Sequence, residues 1–273
     1  MTARFVSRFA LGRRPGFGLA LTLAVLATTA CKRESARGGA PAPSSAGPIV
    51  LPPLAAESWM VPLSSPAANA ALAAVPLGAR GPRPIVLALH GDAARPEWAC
   101  GSYRHASSGR GFVVCPRGQP LADGTRFSLA SLEQSRSELR AALRALKQRF
   151  GQHVASGSVV LAATGASVAA AIEIALEEPS FFSHLVLVDG SLERFTSGVV
   201  ARFAGAGGRR VLVVRTGPSS AGEQDEKRLR ALERAGVETR RIHVERASGL
   251  DGATTEALRE AWPWLVRGDS RWD

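Results

Sequence analysis

Six apolar runs punctuate the chain from position 84 onward: PIVLALH at 84–90, GFVVC at 111–115, SVVLAA at 158–163, HLVLVD at 184–189, RVLVVR at 210–215 and ETRRIHVE at 238–245. Most are nearly continuous rather than alternating, the pattern of strands covered on both faces of a parallel sheet. Between them the period changes. Leu139, Leu143, Leu146 and Phe150 recur at helical spacing with Arg136, Arg140, Arg144 and Lys147 outside, and Gly151 is the stop signal. A second helix opens on Glu223, Asp225 and Glu226, acids suited to a positive helix start, and ends at Gly236. A third carries Leu258, Trp262 and Leu265. Strands alternating with helices predict one α/β domain with a doubly wound, mostly parallel sheet, in which ligands bind at the strand C-terminal ends.

The first 57 residues have a different character. A basic start is followed by an uncharged run, Phe17 to Ala30, and then Cys31. That run is short for a membrane span and fits the apolar region of a signal peptide. LATTAC resembles a bacterial lipobox, with Thr28 where a leucine is usual, so Cys31 is the expected lipidation site and 1–31 the signal segment. Ordinary signal cleavage and an uncleaved anchor are the alternatives. Residues 32–57, rich in Pro, Ala, Gly and Ser, predict a disordered tether, and 58–273 the folded domain. The expected location is the cell envelope, held by lipid; without an aspartate after the cysteine, Lys32 and Arg33 favour the outer membrane or a periplasm-facing position.

Composition changes this picture little. The formal charge of +11 falls to +7 once the leader arginines 4, 8, 13 and 14 are removed. The remaining arginines lie among acids on amphipathic helices, with a single tyrosine in the chain, so no nucleic-acid partner is expected. With Cys31 taken by lipid, Cys100 and Cys115 remain, and in an oxidising compartment they are expected to pair. No CxxC or His spacing suggests a metal, and no cofactor is expected.

The segment VVLAATGASVAAAIEIALEEP, 159–179, runs from a strand through a glycine into a helix. Three readings compete: a dinucleotide phosphate loop, the nucleophile elbow of a serine hydrolase, and a plain packing turn. TGASVAAA resembles the phosphate loop of short-chain dehydrogenases, but Ala169 and Ala171 stand where that family needs glycine, and Tyr103 is followed four residues later by Ser107 rather than lysine.

From about Trp59 onward the order of segments resembles the α/β-hydrolase family, in its compact esterase-like members. LALHGDAARPEWACG is similar to the strand and His-Gly loop that build the oxyanion hole, here His90, Gly91 and Asp92, with Ala166 after the elbow apex. The 159–179 segment is similar to the elbow strand and helix, VLVVRTGPSS to the acid-bearing loop, and HVERASGLDGATTEALREAWPWL to the last strand, histidine loop and closing helix. The resemblance implies an α/β-hydrolase-like domain without a large cap, and a triad of nucleophile, acid and histidine.

Those three positions lack the required groups. The apolar strand ends at Ala163, so the apex falls at Gly165, which also stands fourteen residues before Pro179; the acid position reads Ser220, and the histidine position Leu250. Ser167 offers an alternative register as Gly165-x-Ser167-x-Ala169, with His243 as base and Glu223 or Asp189 as acid. His243 lies mid-strand, on the face of Arg241 and Glu245, and Glu223 suits a helix start. Three outcomes remain: an inactive hydrolase-like lipoprotein binding a small molecule or peptide in the old cleft, an active esterase using Ser167, and a structural surface lipoprotein with no ligand.

Overall fold

The apolar runs form the centre of an eight-stranded sheet in the computed structural model, which describes residues 50–64, 71–129, 131–218 and 222–273. In chain order the sheet strands are β1 (Met60–Leu63), β2 (Ala71–Ala74), β3 (Ile85–Leu89), β4 (Phe112–Pro116), β7 (Val160–Thr164), β8 (His184–Val188), β9 (Arg210–Thr216) and β10 (Glu238–Val244). Two short strands, β5 (Gln119–Pro120) and β6 (Phe127–Ser128), form a separate ribbon. The sheet order is β1-β2-β4-β3-β7-β8-β9-β10. β2 runs against both its neighbours, and every pair from β4 to β10 is parallel.

All five residues of β3, of β4 and of β8 are buried, as continuous apolar runs demand. Alternate side chains feed two cores. Leu87, Leu89, Leu161 and Leu187 point to one, and Val86, Ala88, Val186 and Val188 to the other. The first core is closed by α2 (Leu132–Phe150), α3 (Ser167–Glu177), α4 (Ser197–Gly205) and α5 (Glu223–Arg234). The second is closed by α1 (Pro96–Ala106) and α6 (Gly252–Leu265). Burying each such leucine or valine contributes roughly 1.5–3 kcal/mol.

Gly151 stops α2 as expected, with φ +36°, and the helix starts at Ser131, whose hydroxyl accepts from Gln134 N at 3.1 Å. α6 starts at Asp251, which accepts from Thr254 N at 2.9 Å.

The tether boundary moves. Leu51 and Leu54, inside the stretch assigned to 32–57, are buried against the domain, and their amides donate to Arg80 O and Ala79 O at 2.8 and 2.9 Å. Two leucines with main-chain partners suffice to dock a proline-rich segment that carries no periodic pattern. The leader, with Cys31, lies outside the described residues. No described helix is long and apolar enough to cross a membrane.

Cys100 on α1 and Cys115 on β4 are joined by a disulfide, Cα atoms 5.9 Å apart, as expected. The bond ties the helix that follows the His-Gly loop to the sheet.

Candidate functional site

The strand C-termini converge on a turn built from Thr164, Gly165 and Ala166. Gly165 follows β7 directly and has φ +60°, a conformation that costs other residues and suits glycine. Its amide donates to Val188 O at 2.8 Å and its carbonyl accepts from Val168 N at 3.1 Å. A Cβ at this position would meet nothing closer than Gly91 Cα at 4.0 Å, so the apex opens onto free space beside the His-Gly loop. Gly190 backs the turn: a Cβ there would stand 2.2 Å from Val168 Cβ and 2.5 Å from Gly165 O. The sharp strand-to-helix turn thus depends on glycines at two positions.

Ala166 precedes the first residue of α3, so its amide belongs to the helix-start donors that the helix itself cannot satisfy. Gly91 lies alongside, with the end of β7 3.6 Å from where its Cβ would be, while Asp92 is exposed at the far side of the elbow. His90 is buried and its ring faces two main-chain carbonyls, Gly91 O from Nδ1 at 2.7 Å and Arg117 O from Nε2 at 2.9 Å. A neutral ring donates to one of them; neither contact leaves it free to act on a ligand.

The alternative triad residues are held apart. Ser167 is buried on α3, and its hydroxyl donates to His90 O at 2.6 Å. His243 sits on β10, three strands from β7, or about 14 Å at the usual strand spacing. Its Nε2 contacts Gly217 O at 2.7 Å. Asp189, with φ +52°, accepts from Thr216 N at 2.8 Å and from Thr216 Oγ1 at 2.6 Å. Thr216 Oγ1 in turn accepts from Gly249 N at 3.1 Å, so Asp189 ties β8 and β9 to the loop bearing Leu250. Glu223 is exposed at the start of α5. Ser220 lies outside the described residues.

Leu250 lines a cleft of about 450 Å³ together with His90, Gly91 and Thr164, so the histidine-loop position and the end of the elbow strand share one cavity. Sequence reasoning missed its other wall, Arg95, Trp98 and Ala99 on and before α1, and Asp251. Trp98 is 65% exposed, with the Arg95 guanidinium 5.5 Å over its ring. Pro96, which suits the first turn of a helix, was the available signal that α1 begins inside this loop. Asp251 is occupied: its carboxylate accepts from Ser248 N and Thr254 N, and those bonds hold its pKa below the usual range. No group of three or more His, Cys, Asp or Glu gathers at a possible metal position among the described residues.

No protein-family model and no curated protein matches the chain. Solved structures do. An uncharacterized protein from Bacillus cereus ATCC 10987 aligns with TM-score 0.54 and 13% identity over 69% of this chain, which spans 61% of that protein. Est1E from Butyrivibrio proteoclasticus aligns with TM-score 0.51 and 10% identity over 77% of this chain and 99% of its own. A dienelactone hydrolase-like promiscuous phosphotriesterase from metagenomic libraries gives 0.50 and 18% over 69% and 82%. At these identities the likeness is one of architecture, and with the strand order and the glycine-tipped elbow it establishes that this chain has the α/β-hydrolase fold.

Proposed function

We propose that the protein is an exported, lipid-anchored α/β-hydrolase-like component of the cell envelope that has lost ester hydrolysis and retains its cleft as a binding site for a small molecule or short peptide. One observation carries the reading. The residue at the elbow apex is Gly165, so the position from which a nucleophile would attack has no side chain. Leu250 on the histidine loop and the commitment of Ser167 to His90 O support it. Loss of a single triad member costs on the order of 10⁴ to 10⁶ in rate, because the groups act as a unit. A serine whose proton goes to a carbonyl, with no base beside it, stays weakly nucleophilic.

The test is fluorophosphonate labelling of the purified protein beside its Ser167→Ala variant, with p-nitrophenyl ester hydrolysis in parallel. No labelling and equal, background hydrolysis are expected. Labelling that disappears in the variant would overturn the reading and promote the esterase built on Ser167. Binding is read separately, as a rise in Tm with acyl esters or short peptides, which a ligand-free structural protein would not show. Cys31→Ser is expected to abolish fatty-acid incorporation and membrane-fraction association; unchanged lipid labelling would remove the anchor from the proposal.

A further inference from the structure

We infer that the domain makes a second membrane contact of its own: the corner at the strand N-terminal ends seats on an anionic lipid surface and turns the cleft away from it. The inference goes beyond the binding cleft and rests on the anchoring reading for its orientation.

Three of the four exposed large hydrophobic residues among those described gather in this corner: Val50 at 72%, Trp59 at 39% and Leu77 at 46%. Main-chain bonds hold them together. Val75 N donates to Trp59 O at 2.7 Å and Leu77 N to Val75 O at 3.0 Å; nearby, Leu51 N donates to Arg80 O and Gly78 N to Leu54 O, each at 2.8 Å. Register places the corner. Ala74, just before Val75, is level with Val113 at the start of β4, whereas Gly165 and Leu250 follow the ends of β7 and β10. The apolar corner and the cleft therefore lie at opposite ends of the sheet.

The same end is rich in unneutralised cations. Arg80, Arg104, Arg110 and Arg209 form no ion pair with a carboxylate among the described residues. Arg110 donates instead to the carbonyl of Trp272, and Arg104 stacks 5.0 Å over Trp59, so each keeps its charge. Of the acids at this end, Glu57, Glu178, Glu238 and Asp269 are matched by Arg149, Arg140, Arg210, Arg267 and Arg271, and Glu233 and Asp273 form no side-chain ion pair among the described residues. Scattered apolar residues on a surface need no explanation, but an indole flanked by aliphatic side chains and guanidinium groups is the combination that sits at a headgroup layer. Anionic lipid attracts such cations within a Debye length. The occupant is a membrane rather than another protein because Val50, the first described residue after the expected lipid site, lies in this corner, so a chain held at Cys31 enters the domain here.

The test uses the full lipidated protein on vesicles of phosphatidylcholine and phosphatidylglycerol, with nitroxide labels at Ala55→Cys in the corner or Trp98→Cys at the cleft. The label at 55 is expected to be more accessible to oxygen than to an aqueous nickel relaxer, and the label at 98 the reverse. Leu77→Asp with Arg80→Glu, two exposed positions, should return label 55 to water while the protein still floats with the vesicles and its Tm is unchanged. Salt at about 1 M, where the Debye length is about 3 Å, should weaken the immersion likewise. A water-exposed label 55 on floating protein would overturn the inference, as would immersion indifferent to Leu77→Asp with Arg80→Glu, or protection of label 55 by a protein partner without lipid. Failure to float would refute the anchor instead, and the inference would then stand only if label 55 still showed immersion on excess anionic vesicles.

Discussion

Gly165 and Gly190 are glycines for different physical reasons, and substitution separates them. At Gly165 the strain is purely backbone: a left-handed φ costs an L-residue roughly 1–2 kcal/mol, and the added methyl has room. Gly165→Ala should therefore lower unfolding free energy by about that amount and leave the fold intact. At Gly190 the methyl would collide with Val168 Cβ and Gly165 O, one of them main chain, so Gly190→Ala should cost more than about 4 kcal/mol or prevent folding. Urea denaturation of both variants checks the contrast; equal, small losses would show that the elbow is looser than its geometry states. The apex at Gly165 was legible in the sequence, because the apolar run ends at Ala163 and a strand must turn somewhere after its last buried residue. Thr216 was not. Its bonds to Asp189 and Gly249 join three loops distant in sequence, and nothing local marks a threonine for that role.

Among the elements, the disulfide between α1 and β4 is the one whose contribution can be estimated from the chain alone. Its partners are 15 residues apart, and closing a loop of that length stabilises by about 3 kcal/mol in the chain-entropy model. The double variant Cys100→Ala with Cys115→Ala should lose about that much unfolding free energy and show a lower denaturant midpoint; an unchanged midpoint would place the stability of α1 entirely in its packing. Legibility among the elements follows burial. The six sheet strands β3, β4 and β7 to β10 could be read because burial on both faces, or strong β-propensity, writes a continuous run. β1 and β2, with sequences MVPL and ALAA, could not: each has four residues, one contains proline, and the other is made of alanine and leucine, which favour helix. α1 shows no apolar period in the sequence because its buried residues, Ala99, Cys100, Tyr103 and Ala106, are mostly small and one is a cysteine.

For the molecule as a whole, acid should be more damaging than the carboxylates alone suggest. His184, at the start of β8, has its pKa pushed down to about 4, first by burial and then by the positive charge of Arg210. The folded protein thus keeps the ring neutral at pH values where the unfolded chain, near 6.5, already binds a proton. Stability is unaffected by this group above pH 6.5 and is lost progressively as pH falls towards 4, by up to about 3 kcal/mol. Unfolding measured from pH 7 to pH 4 should show that slope, and His184→Gln should flatten it; an unaltered profile would shift the cause to other groups. The strand order carries a further consequence, one of timing. β2 sits between β1 and β4, and β3 between β4 and β7, so a chain delivered from its N-terminus can pair β1 with β2 at once but makes β2 and β3 before the strands that complete their pairing exist. β8, β9 and β10 each add to an edge already formed. Completion of the sheet therefore waits on the middle of the sequence, with one edge of β2 and the whole of β3 unpaired until Phe112–Pro116 arrives, and the other edge of β3 open until Val160–Thr164 does. A chain interrupted before Val160 would present Ile85–Leu89, five residues destined for complete burial, as a bare edge open to any other strand, which makes the interval before β7 the period of greatest exposure to aggregation.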